Sequence, residues 1–385
     1  MVAIFVPRRF TNVRRDEIRP VLVAALFFFC VLTALMILRP AREALGMRRG
    51  IETIRWLFVG TVVITLLVNP VFSLLVSRTR RLAFISATYL FFVFGLLGFY
   101  ALLVFAPTHI GERSGQVFYV WFSVFNLFAT MLFWALMADR FSLEQSKRLF
   151  GLIGVGGTLG AILGPWLASE LAAPLGTAGL LPVAAGFLVL ALAAAFWLVH
   201  LPADEAAGVP RGARRREYDE HAVIGGSAWE GFRAVGKSGY LLSICAYILI
   251  MAVMATFIYF TRLRMVAALG GNLDMRTTVF ARIDMATQVA TLLLQAVVAG
   301  QLMKRLGTSV TLALLPVTAA LGFLGLAFVG SIAALVAFEA TFRAVQRGLM
   351  RPARETLFTV VSRAERYKAK AFTDTFVYRL GDLTG

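Results

Sequence analysis

Ten apolar runs, each long enough to cross a lipid bilayer as a helix, constrain what this chain of 385 residues can fold into. A spanning helix needs about 20 mostly apolar residues, because each residue adds about 1.5 Å across a hydrocarbon layer about 30 Å thick. Lipid offers no hydrogen bonds to the backbone, so we predict that the runs are helical. They cover residues 21–38, 56–76, 82–106, 117–137, 149–171, 178–200, 239–260, 277–303, 309–328 and 331–350, and an eleventh begins near Lys370.

The composition excludes a water-soluble protein. Only 15% of the residues are charged and 59% are hydrophobic, whereas an ordinary soluble domain is about 25% charged. The chain lacks the polar residues to coat several water-facing domains, so a soluble enzyme, a secreted disulfide scaffold and a disordered chain are excluded. We predict an all-α polytopic membrane protein with 10–11 spans present.

Cysteine and histidine are too sparse for a metal or catalytic site. Cys30 and Cys245 lie inside apolar runs, and the histidines are His109, His200 and His221. No Cys/His spacing typical of zinc occurs, and no histidine lies mid-run beside a nucleophile. We therefore expect no metal, no cofactor and no enzymatic activity.

The net charge of +17 is explained by membrane topology. With the N-terminus inside, 25 Lys and Arg residues fall in inside segments and 9 in outside loops. An excess of Lys and Arg on the cytoplasmic side is the general rule for membrane proteins. We predict a cytoplasmic N-terminus in the cell inner (plasma) membrane, and we expect no nucleic-acid partner.

Two outside loops break this rule. The loop after the first run carries five basic residues and the loop after the seventh carries three. These residues are Arg39, Arg42, Arg48, Arg49 and Arg55, then Arg262, Arg264 and Arg276. Because the two loops occupy equivalent places, we predict that both halves of the protein present basic residues at the outer mouth.

A hydrophilic stretch and weak repeats indicate two related halves. We predict an N-terminal six-helix half at 1–200, a cytoplasmic linker at 201–238, and a C-terminal half at 239–385 with four spans and an incomplete eleventh. Arg78 and Arg305 occupy similar short loops in the two halves. Glu144-x-x-Lys147 recurs as Glu365-x-x-Lys368 at an offset of 221 residues. Duplicated helical halves are typical of secondary transporters.

The fifth run carries a glycine stripe. Gly156, Gly160 and Gly164 recur every four residues, the spacing that lets two membrane helices approach closely. No strand precedes them, so a dinucleotide-binding loop is not indicated. We predict a packing face, in which Gly160-x-x-x-Gly164-Pro165 forms a bendable contact.

Charged residues inside the runs suggest a polar cavity, since each charge is costly in lipid unless it faces water or a partner. In the eighth run, Arg282 and Asp284 are followed by Gln288, Thr291 and Gln295 on one face. In the tenth run, Glu339, Arg343 and Arg347 are four apart, with Gln346 beside them. One interpretation is an ion-pair cluster that braces helices; the other is an anion site, because arginines outnumber the glutamate.

A heptapeptide recurs with six of seven residues identical. It reads Arg39-Pro40-Ala41-Arg42-Glu43-Ala44-Leu45 after the first run and Arg351-Pro352-Ala353-Arg354-Glu355-Thr356-Leu357 after the tenth. We predict that the proline ends or redirects each helix and that the Arg and Glu side chains form the polar lip of a cavity. Interfacial anchoring by arginine is the alternative.

These stretches resemble a known family. The Arg78 and Arg305 loops look like the Gly-x-Leu-x-Asp-Arg-x-Gly-Arg loop of the major facilitator superfamily, with Ser77 and Lys304 in place of its aspartate. Residues 38–46, 133–151 and 368–379 resemble the ATP/ADP translocase (NTP/NDP exchanger) branch. The resemblance implies two pseudo-repeated halves of a twelve-helix fold, of which spans 11 and 12 look incomplete.

We therefore expect a secondary transporter of an organic anion, with ATP/ADP-type nucleotide exchange as the favoured form. The alternatives are a proton-coupled facilitator, in which Asp284 or Glu339 carries the proton, and a non-transporting membrane scaffold. A monomer in the lipid bilayer is expected. The predicted substrate-binding residues are Arg39, Arg42, Glu43, Asn126, Arg282, Asp284, Gln288, Glu339, Arg343, Arg347, Asp374 and Arg379. The predicted conformational residues are Arg78, Gly160, Gly164, Pro165 and Arg305.

Overall fold

Helices follow the apolar runs closely. The computed structural model describes residues 13–14, 16–78, 81–106, 108–201, 235–236, 238–297, 299–357, 373 and 377–384. The α-helices are α1 (Ile18–Gly46), α2 (Ile51–Arg78), α3 (Arg81–Phe105), α4 (Thr108–Arg140), α5 (Leu143–His200), α6 (Gly239–Ala268), α7 (Leu273–Val297), α8 (Ala299–Val329), α9 (Ile332–Val345), α10 (Arg351–Leu357) and α11 (Tyr378–Thr384). A 3-10 turn, Met47–Arg49, follows α1, and a π-helix, Gln346–Met350, links α9 to α10. The described residues include no strand, so the predicted all-α fold is confirmed.

Two glycines divide the longest helices. Gly176 in α5 has φ 72° and Gly307 in α8 has φ 74°, a backbone conformation that favours glycine. The fifth and sixth runs thus lie on either side of Gly176, and the ninth run follows Gly307. In the described residues, six helical stretches are long and apolar enough to cross a membrane: Ile18–Arg49, Phe84–Phe105, Thr108–Arg140, Arg148–His200, Gly239–Ala268 and Gly307–Val329. The helix α7 is not among them, since its polar stripe lowers its mean hydropathy.

The chain divides into two compact units. Unit 1 is Met1–Asp204 with Gly270–Met285, and unit 2 is Glu205–Leu269 with Ala286–Gly385. The helix α7 therefore contributes its first half to unit 1 and its second half to unit 2. Residues 202–234 of the predicted linker lie outside the described residues, and the predicted division at 1–200, 201–238 and 239–385 stays a prediction.

Unit 1 is built on close packing of α1 against α5. A Cβ added at Gly156 would meet the Ala25 carbonyl, and one at Gly160 would meet the Phe29 carbonyl. At Gly164 an added Cβ would lie 2.7 Å from the carbonyl oxygen of Thr33. The every-four spacing of glycine thus forms a packing face. The bendable role of Gly160, Gly164 and Pro165 stays a prediction.

Aromatic side chains pack α1 against α4. Phe28 on α1 stacks on Phe133 of α4 with ring centroids 4.1 Å apart, and Phe27 meets the same ring edge-on at 5.1 Å. Pairs in these geometries contribute about 0.5–1.5 kcal/mol beyond burial of their area. Unit 2 has a smaller core, in which Phe338 and Phe342 of α9 pack with Ile258 and Leu315.

The restart of α5 after Gly176 is capped from another helix. Asp274, in the first turn of α7, accepts hydrogen bonds from the Thr177 backbone N–H at 2.6 Å and from its hydroxyl at 2.7 Å. The Thr177 and Thr277 hydroxyls lie 2.8 Å apart. A carboxylate at a helix N-terminus satisfies free N–H groups and the helix dipole. Both segments belong to unit 1.

The helices continue past the ends that the apolar runs predict. The helix α1 does not end at Pro40 but continues to Gly46, so Arg39 and Arg42 lie on a helix rather than in an outer loop. Membrane helices tolerate an internal proline when neighbouring groups satisfy the freed carbonyl. Arg262 and Arg264 likewise lie within α6, not in the loop after it.

The second heptapeptide also fails to end its helix. The segments Ile332–Val345, Gln346–Met350 and Arg351–Leu357 follow one another directly, with Pro352 near the start of the last. A proline removes one N–H and crowds the carbonyl four residues earlier. The wider π turn lies across that position, which lets the helix continue.

Candidate substrate-binding site

A buried charge cluster lies at the centre of unit 2. Oε1 of Glu339 is 3.4 Å from Nη1 of Arg262 and 3.5 Å from Nε of Arg343. The Arg262 side chain is completely buried, and that of Arg343 is 15% exposed. Because isolated buried charges are strongly disfavoured, this carboxylate is needed to hold the two guanidinium groups.

Arg347 extends the cluster by one turn. Its Nη1 donates to Oε1 of Gln288 at 2.8 Å, and Gln288 is neutral. Glu339 is the one acidic side chain that the structure describes in unit 2, where it describes six arginine side chains. The described side chains of this unit therefore carry a surplus of positive charge, and part of that charge is buried.

An arginine–tyrosine contact follows the π-helix. Nη1 of Arg354 donates to the Tyr378 hydroxyl at 2.9 Å, and its guanidinium carbon lies 5.5 Å from the ring centroid. Tyr378 is on α11, so this contact fixes the start of α11 against α10. Arg354 belongs to the repeated heptapeptide, and its side chain is buried.

In unit 1, the end of α1 carries the corresponding charges. Nε of Arg39 is 3.5 Å from Oδ2 of Asp284, which is buried. Arg42 is 2.9 Å from the Glu43 carboxylate, donates to the Tyr119 carbonyl at 3.2 Å and lies 3.7 Å above the Tyr119 ring centroid. A guanidinium over an aromatic face is attracted by the ring quadrupole. The α1 end is thus tied to α4 and to α7.

An arginine occupies an equivalent sequence position in each of the two units. Arg42 contacts Tyr119, and Arg262 contacts Glu339. Each member of the second pair lies 220 residues after its counterpart in the first. Equal spacing of both partners supports an internal duplication. The arginine of unit 1 contacts an aromatic ring, and the equivalent arginine of unit 2 contacts a carboxylate.

The structure brings together many predicted site residues. It pairs Arg39 with Asp284, Arg42 with Glu43, Glu339 with Arg343, and Gln288 with Arg347. The Asn126 and Arg282 side chains are exposed. Asp374 lies outside the described residues, as do the side chains of Arg78, Arg305 and Arg379. Within the described part of the chain, no group of three or more His, Cys, Asp or Glu residues could hold a metal ion.

Sequence reasoning missed Arg262 and Tyr119. In the sequence, Arg262 follows an apolar run and so reads as a loop residue, and Tyr119 looks like any other aromatic residue of a spanning helix. The signal that could have found both was the offset between the halves. Placing the chain on itself at 220 residues aligns Arg42 with Arg262 and Tyr119 with Glu339.

Long apolar helices with charged side chains held between them define a multi-pass membrane protein. The family model described as Major Facilitator Superfamily matches residues 21–350, and the chain belongs to that family. The superfamily resemblance is confirmed. Membership makes this protein a transporter and not an enzyme.

Solved structures share the fold. A variant of the nucleoside transporter NupG is 11% identical with a TM-score of 0.67, over 95% of this chain and 89% of that one. A POT family transporter in complex with a thioalcohol conjugated peptide is 10% identical, with a TM-score of 0.61, over 97% and 90%. A D-xylose-proton symporter is 12% identical, with a TM-score of 0.57, over 94% and 87%. No curated protein matches the sequence.

Proposed function

We propose that this protein is a secondary transporter of an organic anion that carries phosphate, and that it exchanges nucleotides of the ATP/ADP type. The observation that carries the proposal is the sharing of Glu339 between Arg262 and Arg343. Among the described side chains of unit 2, arginines outnumber Glu339, and such a positive surplus favours an anionic ligand.

Arg343 and Arg347 are the residues proposed to bind the anion. Both are partly exposed, whereas Arg262 is fully buried. The planar fork of arginine matches two oxygens of a phosphate or carboxylate group, and such charge-assisted hydrogen bonds are the stronger kind. Arg262 holds Glu339, and Arg343 remains within reach of a ligand.

The first experiment measures binding to the intact protein in detergent. Arg343→Gln and Arg347→Gln should each weaken binding of ATP and ADP by roughly tenfold to a hundredfold, since a hydrogen bond to a charged group contributes about 1.5–3 kcal/mol. The control is Arg264→Gln, because Arg264 is an exposed arginine of α6. If no phosphorylated compound binds the wild-type protein, the anion proposal is wrong.

The exchange step is tested in liposomes. Vesicles preloaded with unlabelled ADP should take up labelled ATP, and empty vesicles should take up little. Equal uptake into both would exclude exchange but leave anion transport standing. No uptake of any anion under any gradient would favour a membrane scaffold.

A specific observation in unit 1 favours a second candidate, proton coupling through Asp284. Asp284 is buried and contacts Arg39, so protonation of the carboxylate would weaken that ion pair and change the charge beside α1. Asp284→Asn should then abolish uptake driven by a pH gradient and leave substrate binding intact. Loss of binding together with uptake would indicate a structural role instead.

A further inference from the structure

A long apolar groove lies on unit 1. It is lined by α2, α3 and α4 and encloses about 1200 Å³. Its wall includes Leu57 and Ile64 of α2, Phe91 of α3, and Val117 and Trp121 of α4. Several of these side chains are exposed in the isolated chain, so the groove is open to an apolar partner.

With the exception of Thr88, the polar side chains that line the groove are Arg and Gln, and they lie at one end of it. Arg49 lies just before α2, and Arg113 and Gln116 lie in the first turns of α4. The opposite end is formed by Phe84, near the start of α3, and by Phe128. The Tyr89 hydroxyl donates to the Ala129 carbonyl at 3.1 Å, which fixes the start of α3 beside the second half of α4.

The polar end has an excess of positive charge. Nε of Arg49 is 3.7 Å from the Glu112 carboxylate, and both side chains are substantially exposed, so the pair is weakly coupled. Arg113 is exposed, and Nη1 of Arg48 lies 4.0 Å from the position of a Cβ at Gly111. At this end of the unit the arginines Arg48, Arg49, Arg55 and Arg113 thus outnumber the carboxylates of Glu52 and Glu112.

The groove is longer than one membrane leaflet is deep. Fifteen residues separate Arg113 from Phe128 on α4, a rise of about 22 Å at 1.5 Å per residue. One leaflet of the hydrocarbon core is about 15 Å deep. An acyl chain can therefore lie along the apolar wall while its headgroup stays beside the arginines.

We propose that this groove binds an anionic phospholipid, with an acyl chain along α3 and α4 and the phosphate between Arg49 and Arg113. Charge complementarity selects the occupant, because a zwitterionic headgroup would bring a cation to an end that already carries surplus positive charge. Basic pockets at the membrane surface bind anionic headgroups for this reason. The proposal involves no residue of unit 2 and does not depend on the transported solute.

The test compares binding of phosphatidylglycerol and phosphatidylcholine with identical chains, measured by native mass spectrometry of the purified protein. We expect phosphatidylglycerol to bind at least tenfold more tightly. The double variant Arg49→Gln with Arg113→Gln should remove this preference, and its control Arg55→Gln should keep it, because Arg55 is exposed on α2 and pairs with Glu52. Equal binding of the two lipids to the wild type would overturn the proposal.

A second variant tests the apolar wall. Ala87 lines the groove, so Ala87→Trp should fill it and lower binding of both lipids at least tenfold. Ala193→Trp is the control, because Ala193 is an exposed alanine of α5. Unchanged binding to the Ala87 variant would overturn the proposal. So would displacement of phosphatidylglycerol by an equal concentration of glycerol phosphate, since the acyl chain would then contribute nothing. The arginine variants concern exposed residues, so the test stands if Ala87→Trp does not fold.

Discussion

At the scale of single residues, Glu339 of unit 2 is the carboxylate that two arginines share. Glu339→Gln would leave Arg262 and Arg343 without their shared carboxylate, whereas Arg262→Gln keeps the Glu339–Arg343 pair. Breaking a buried ion pair from one side costs about 3–5 kcal/mol. In detergent, the unfolding temperature of Glu339→Gln should therefore be lower than that of Arg262→Gln. The reverse order would mean that Arg343 does not depend on this glutamate.

A second residue, Glu17, links stability to pH. It lies just before α1 and is 2.8 Å from Nη2 of Arg148 on α5. Burial tends to raise the pKa of Glu17, but hydrogen bonds from Arg148, the Arg14 backbone and Gln145 outweigh it and lower the pKa below 4.5. A lowered pKa stabilises the folded state above the unfolded-state pKa, and this stabilisation is lost as pH falls through the folded-state pKa.

Glu17→Gln should accordingly lower the unfolding temperature at pH 7 and flatten its decline between pH 5 and pH 3. The exposed Glu144, in the first turn of α5, supplies the control variant Glu144→Gln. Parallel pH curves for wild type and Glu17→Gln would show that the link between α1 and α5 does not depend on ionisation.

At the scale of elements, the α1–α5 contact depends on the absence of side chains. Gly160→Ala would place a Cβ against the Phe29 carbonyl, whereas at Gly154 nothing lies within 4 Å of an added Cβ. Overpacking typically costs about 1–3 kcal/mol, while alanine at an open helical site gains about 0.5–1 kcal/mol. Gly160→Ala should therefore lower the unfolding temperature, and Gly154→Ala should hold or raise it. Equal effects would contradict the packing role.

The helices could be predicted from sequence because hydropathy is a local property. The ends of helices could not, since the residues that decide them are distant in the chain. Near the end of α1, the Arg42 side chain is held by Tyr119, which lies 77 residues later in the sequence. Arg262 can stay within α6 because Glu339 is 77 residues away in sequence and 3.4 Å away in space. The sequence reveals the charged stripe of α9, but it does not reveal that Arg262 is the partner of Glu339 in that stripe.

At the scale of the whole molecule, topology is the expectation that can be tested most directly. A cysteine placed at Ala213 and one placed at Thr108 should react with a membrane-impermeant thiol reagent from opposite sides. Cys30 and Cys245 are buried, so the background should be low. Labelling of both positions from one side would exclude the orientation inferred from the Lys and Arg count.

Unit 1 is not a module that can be cut out of the chain. It takes Gly270–Met285 from beyond the linker, and that segment supplies Asp274 to the restart of α5 and Asp284 to Arg39. A fragment of residues 1–204 should therefore be unstable alone and be rescued by coexpression with residues 205–385, as judged by protease resistance in membranes. A fragment that is equally resistant alone would mean that neither aspartate matters to it. The N-terminal half of a split protein would thus depend on the C-terminal half, although the sequence resembles two copies joined by a linker.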